Sequence, residues 1–167
     1  MASVPLVRYN LGSIPCTSQT GAVSAPVPFV LEEHAVSKAP EPTPQIIIPD
    51  GANVWPHELE TAMALARAGL SIRFIRRSEE RHATSADVII DGEVWEMKAP
   101  TSSNLKVVEK NLRRAMRQSR LVIFDSRRMK QAQDFAVERE LRKWAAQLRQ
   151  LKRLKFVNKR GEVIDIK

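Results

Sequence analysis

A single cysteine, Cys16, stands in the 167 residues, and neither a Cys-x-x-Cys nor a His-x-His pair occurs. A disulfide framework and a structural zinc site are both unsupported on that count. No apolar run approaches the roughly 20 residues that span a bilayer, and the N-terminus lacks the basic start and continuous apolar segment of a secretory signal. Membrane insertion is therefore not expected. Aromatic residues are few, with three Trp, one Tyr and five Phe, which gives no stacking platform of the kind single-strand binders use. There is no internal repeat. Acids are also outnumbered: 27 Lys and Arg face 19 Asp and Glu, for a net charge of +8 and a pI near 10.1. The first fifty residues hold two bases and four acids, so residues 51–167 carry +10. Such a domain attracts acidic partners, whether nucleic acid, anionic membrane or acidic protein, and charge alone does not choose among them.

The prolines divide the chain. Pro26, Pro28, Pro40, Pro42 and Pro44 interrupt any helix or sheet, so residues 1–50 read as a proline-rich, extended or disordered leader, with Ile46–Ile48 as a candidate strand docking at a domain edge. Residues 51–167 read as one domain, in keeping with chain length. Pro56 suits a first helical position and Gly69 a C-terminal stop. Leu59, Ala62, Met63, Ala66 and Leu70 are the expected buried stripe of that helix, with Glu60 toward solvent. Glu58 lies at the stripe's rim, where an acid serves as a helix-dipole partner or as a ligand. A strand over 71–76 follows, and then a polar loop in which Arg81 and His82 are candidate phosphate contacts.

Asp91-Gly92 separates two runs of strand formers, the strongest short-range signal for a two-residue hairpin. Counting outward pairs Ile90 with Glu93, Ile89 with Val94, Val88 with Trp95 and Asp87 with Glu96. Like charges directly opposed destabilise a sheet, so a compensating cation is expected. Side chains alternate, which puts Lys98 on the Glu96 face and leaves Val88, Ile90, Trp95 and Met97 on the other. Two carboxylates beside an ammonium suit a divalent cation, magnesium or manganese, completed by water and substrate phosphate. An ordinary solvated hairpin face, with Lys98 neutralising one of two surface acids, accounts for the same pattern.

Beyond Pro100, Thr101, Ser102 and Ser103 offer helix caps. A helix with the stripe Leu105, Val108, Leu112, Ala115 and Ser119 leaves Lys106, Lys110, Arg113, Arg114 and Arg117 on its remaining surface. Leu121–Asp125 is a continuous apolar run, the mark of a buried parallel strand, with Arg127 and Arg128 at its exit. A long helix is expected from about Met129 to Leu151, its inward positions Ala132, Phe135, Ala136, Trp144, Leu148 and Leu151. Leu154–Val157 and Val163–Ile166 should close the chain as a hairpin around residues 158–161.

This order of elements, with Asp87 opening the hairpin and Glu96-Met97-Lys98 in its second arm, resembles the PD-(D/E)xK nuclease superfamily. Its restriction-endonuclease-like core is α/β, a mixed central sheet flanked by helices. Residues 55–130 are similar in more detail to the C-terminal toxin domains of contact-dependent growth inhibition proteins, the CdiA-type tRNA nucleases. The residues concerned are His57-Glu58-Leu59-Glu60 opening a helix that ends in Ala-Gly, Thr84 to Asp87, Ile90 to Gly92, Trp95 to Lys98, a basic helix ending Gln118-Ser119, and Val122 to Asp125. The Val-Glu-Asn-Asn boundary that precedes many such domains is missing, which leaves the delivery route open.

The resemblance implies an active site of Glu58, Asp87, Glu96 and Lys98, with Asp87, Glu96 and Glu58 around magnesium or manganese. Lys106, Lys110, Arg113, Arg114, Arg117, Gln118, Arg127 and Arg128 are the expected nucleic-acid contacts. It implies an endonuclease of the toxin type acting in the cytoplasm on RNA, tRNA before others, and partnered by an immunity protein. A DNA endonuclease of the same fold, from a mobile element or restriction-like system, is the first alternative. A basic nucleic-acid-binding or assembly protein without catalysis is the second.

Overall fold

A computed structural model of the chain describes residues 7–10, 43–76 and 86–167. Its elements are β1 Val7–Asn10, β2 Gln45–Ile48, α1 Pro56–Arg67, β3 Ile72–Phe74, β4 Val88–Ile90, β5 Glu93–Lys98, α2 Lys106–Ala115, β6 Leu121–Asp125, α3 Asp134–Gln147, β7 Arg153–Val157 and β8 Val163–Asp165. The eight strands form a mixed sheet in sequence order. β2 and β3 are parallel, as are β5, β6 and β7, and the other neighbours are antiparallel. This is an α/β fold. The candidate strand at Ile46–Ile48 is present as β2, and Ile46 is buried in the core, so the sheet begins upstream of residue 51.

Each face of the sheet has its own core. Ile72, Phe74, Val88, Ile90, Trp95, Met97, Leu121 and Ile123 pack with the α1 residues Ala62, Leu65 and Ala66. Val122, Phe124, Leu154 and Phe156 pack on the other face with Val108 and Leu112 of α2 and Val137 and Leu141 of α3. Alternation along β6 sends successive residues to opposite cores, and all five are buried. This is what a continuous apolar run in a parallel strand covered on both faces requires. The crossovers β5–α2–β6 and β6–α3–β7 supply that cover.

Three of the four pairs counted from the turn are present: Val88 opposes Trp95, Ile89 opposes Val94 and Ile90 opposes Glu93. The ladder stops there, because the Asp87 N–H donates to the Trp95 carbonyl at 3.1 Å, and Asp87 and Glu96 are not a paired position. Asp91 (φ 51°) and Gly92 (φ 76°) both lie in the left-handed region, as a type I′ turn demands. The α2 stripe is also as expected, with Val108, Leu112 and Ala115 buried. The N-terminus of α2 differs. Asn104, not a hydroxyl, accepts the Lys106 N–H at 2.9 Å.

Two helices depart from their expected faces. On α1 the buried set is Glu58, Thr61, Ala62, Ala64, Leu65 and Ala66, while Leu59 and Met63 are half-buried. The β7–β8 turn explains the wider arc, because a Cβ on Gly161 would stand 4.0 Å from that of Ala64. The last helix starts at Asp134 rather than near Met129, because residues 126–132 form successive tight turns, Met129 N–H to Ser126 O and Ala132 N–H to Met129 O. Of the expected inward positions Ala132, Leu148 and Leu151 are buried, just outside the helix, while within it the buried stripe is Val137, Leu141 and Ala145. Phe135 is left 65 % exposed, and Ala136 and Trp144 are half-buried.

Candidate active site at the carboxyl edge of the parallel strands

Glu96 is 1 % exposed and Asp87 9 %. Glu96 stands beside Val122 of β6, on the face that α2 covers by packing on β5. The solvated hairpin face is therefore not what forms: a second sheet neighbour and a helix enclose the acid. The Asp87 Oδ2 accepts the Met97 N–H at 2.9 Å, tying this carboxylate across the hairpin to β5. Lys98, 21 % exposed, donates to Glu96 Oε1. Glu96 Oε2 is buried with no hydrogen-bond partner among the described residues. Asp87, Glu96 and Lys98 are thus brought together on one face.

Burial, then the Asp87 charge, push the Glu96 carboxyl up to about 7, against the opposing pull of Lys98. Its folded pKa lies above its unfolded value of 4.5, so ionising Glu96 costs the fold. That cost is absent below about pH 4.5, grows as pH rises, and is complete above about pH 7. Glu96→Gln, which cannot ionise, should therefore stabilise the protein by about 2–3 kcal/mol at pH 8 without divalent cations, with the gain fading toward pH 4.5. Denaturant melts across that range check the sign. A variant less stable than the parent at pH 8 would contradict it.

A buried carboxylate oxygen lacking a donor, next to a second carboxylate, is a donor set that fits a divalent cation. Asp87 and Glu96 are the residues that fit. Glu58 is placed differently. Its Oε2 accepts the Trp55 N–H at 3.0 Å and caps α1. Among the described residues no three His, Cys, Asp or Glu side chains form a cation-sized group, so Glu58 does not complete a three-acid cluster with the other two.

One acid was not singled out from sequence. Asp125, at the end of β6, is 2 % exposed. Its Oδ2 lies 2.7 Å from Thr61 Oγ1 of α1. It also accepts Arg127 N–H at 2.9 Å, Nε at 3.0 and 3.1 Å, and Nη2 at 2.5 Å. The Asp125 carboxylate is the main reason that the Arg127 guanidinium is held above its usual pKa. The readable signal was an acid ending a wholly buried strand, followed two residues later by arginine.

The basic candidates fall into two groups. Lys106, Lys110, Arg113, Arg114 and Arg117 are exposed along α2 and, with Glu109, line a groove of 470 Å³. Arg113 is partly engaged, by Glu109 at 2.8 Å and by the Trp144 ring at 5.8 Å. Gln118 is half-buried past the helix end. Arg127 and Arg128 lie elsewhere, half-buried at the exit of β6. Arg81, His82 and Thr84 lie outside the described residues. Neutralising Lys110, Arg113 and Arg117 together should weaken nucleic-acid binding with little dependence on base sequence. The salt slope should fall by about 2 rather than 3, since Glu109 already counters Arg113. Titrations at several salt concentrations check this, and an unchanged slope would show a face that is merely solvated.

No helix among the described residues is long and apolar enough to cross a membrane. No curated protein matches the chain. A solved structure, the CdiA-CT/CdiI toxin and immunity complex from Burkholderia pseudomallei, is similar in fold, with a TM-score of 0.55 at 16% sequence identity, over 72% of this chain and 98% of that one. In sequence, residues 84–163, from the hairpin to β8, match the family of the contact-dependent growth inhibition CdiA C-terminal domain.

Proposed function

We propose that this protein is a toxin-type endonuclease that depends on a divalent cation and cleaves phosphodiester bonds in RNA, tRNA before others, and that its sheet is a PD-(D/E)xK core. The observation that carries the reading is the buried pair Asp87 and Glu96, held side by side with Lys98 on one oxygen of Glu96 and, among the described residues, no donor on the other. Burial and the neighbouring like charge make ionised Glu96 costly to the fold, and a bound cation would remove that cost. The similarity of residues 84–163 to the CdiA C-terminal domain supports the toxin reading. The structure of similar fold is a complex of a toxin with its immunity protein, which supports an inhibitory protein partner here.

Asp87 and Glu96 would hold magnesium or manganese, which when bound polarises a phosphoryl oxygen and acidifies a water. The chain's own residues do the rest. The Met97 N–H fixes the Asp87 carboxylate, so that oxygen needs no reorganisation at the moment of reaction. Glu96 divides its oxygens, keeping Oε1 on Lys98 and leaving Oε2 without a donor among the described residues. The Lys98 ammonium is thereby held beside the site, where it stabilises negative charge developing on the phosphoryl group and orients the attacking water. The basic face of α2 attracts the polyanion and holds its backbone.

Purified protein incubated with total tRNA and with plasmid DNA, each with and without magnesium, tests the reading. Cation-dependent cleavage of tRNA is expected. Cleavage of plasmid alone would move the substrate to DNA, and binding without cleavage of either would leave a nucleic-acid-binding protein.

A further inference from the structure

Thr101, Ser103, Arg127, Arg128, Lys130 and Gln131 line a pocket of 680 Å³. The loop leaving β5 meets the turn leaving β6 here. Arg128 Nη1 donates to the Ala99 carbonyl at 3.2 Å, and the Gln131 N–H donates to Ser103 Oγ at 3.1 Å. Both segments are thus pinned to each other. Thr101 is three residues after Lys98, so the pocket begins within about 10 Å of the Lys98 backbone.

The charges in the pocket are not equivalent. Arg127 is neutralised by Asp125 and forms a fixed wall. Among the described residues no carboxylate is ion-paired with Arg128 or Lys130. Lys159 adds a further cation, its Nζ donating to the Lys130 carbonyl at 2.8 Å. The nearby Asp134 is occupied, by the Ser126 hydroxyl at 2.7 Å and the Lys159 N–H at 3.0 Å. Glu60 acts on Arg127 from the exposed side of α1. The pocket therefore has uncompensated positive charge, two hydroxyl-bearing residues and a rigid frame, which suits a tetrahedral oxyanion.

We infer that this pocket is a subsite for a backbone phosphate of the nucleic acid, next to the one held at Asp87 and Glu96, and that it sets which bond reaches Lys98. The inference rests on the endonuclease reading, but it is tested by binding without a divalent cation, where no cleavage is needed. The probe is a fluorescent RNA oligonucleotide, followed by anisotropy as salt is raised. Arg128→Gln with Lys130→Gln should weaken binding about tenfold and lower the salt slope by about 2. Lys130→Gln alone, which removes no side-chain hydrogen bond of the fold, should lower the slope by about 1. Arg149→Gln, an exposed cation after α3, is the comparator and should leave both unchanged.

A series of oligonucleotides, each with one phosphodiester made neutral by methylphosphonate, locates the contact. One position should weaken the parent and leave the double variant unaffected. Unchanged affinity and slope in folded Lys130→Gln and in the double variant, or no position distinguishing parent from variant, would overturn the subsite. If the slope falls as expected but no cation supports cleavage of any nucleic acid, the endonuclease reading fails and the anion site stands by itself.

Discussion

Replacing Asp87 or Glu96 with alanine should abolish cleavage, lowering single-turnover rates by at least about 10³-fold, beyond the 10²–10³ that removal of one preorganised charge-stabilising donor costs. Each substitution takes a proposed ligand and a charge from a site that has two acids among the described residues, so cation binding should fail together with turnover. Lys98→Ala should separate the two effects. It removes the ammonium from Glu96 Oε1 and leaves both carboxylates, so nucleic acid and cation still bind while the rate falls. The measurement is cleavage of tRNA and plasmid by the three variants, beside calorimetric titration with magnesium and thermal melts. Full activity in folded Asp87→Ala or Glu96→Ala would end the nuclease reading.

The second large effect concerns stability. Asp125→Ala should destabilise the fold by about 3 kcal/mol, at the low end of what breaking a buried ion pair costs, because Arg127 keeps 22 % of its side chain in water. The lost carboxylate serves three elements at once. It anchors the guanidinium, closes the turn after β6 through the Arg127 N–H, and faces the Thr61 hydroxyl that links β6 to α1. Thr61 is 2.8 Å from the His57 carbonyl as well, so its single proton retains an acceptor and the loss falls mostly on Arg127. Asp125→Asn, which keeps an acceptor and loses the charge, should cost about half as much. Denaturant unfolding at pH 7 measures both, and a loss below about 1 kcal/mol for Asp125→Ala would show that the pair contributes little.

The two buried acids are thus predicted to respond with opposite sign. Glu96→Gln stabilises the cation-free protein at pH 8, and Asp125→Asn destabilises it. Glu96 sits against a like charge with an oxygen that lacks a donor among the described residues, whereas the Asp125 carboxylate is surrounded by donors. A buried acid whose pKa is pushed up by burial and a neighbouring like charge is a candidate for chemistry. That contrast is invisible in the sequence, where both are acids near the end of a strand.

Local chemistry was sufficient wherever neighbours in the chain decide the outcome. The Asp91-Gly92 pair specified a type I′ turn, the turn specified the register, and the register put Asp87 opposite the arm that holds Glu96 and Lys98. The period of α2 and the uninterrupted apolar run of β6 were legible for the same reason, since one face or both faces of a single element are written in its own residues. Only the tertiary structure decided what touches those faces. The packing of α2 and β6 on β5 turned a charged strand face into an enclosed site and pushed Glu96 up to about 7. The β7–β8 turn on Ala64 widened the buried arc of α1, and the tight turns after Ser126 delayed α3 and left Phe135 in solvent. The contact of Asp125 with Thr61 spans 64 residues, a separation over which no local pattern carries information. Periodicity tells which side of an element is apolar, but burial of a charge depends on partners that arrive from elsewhere in the chain.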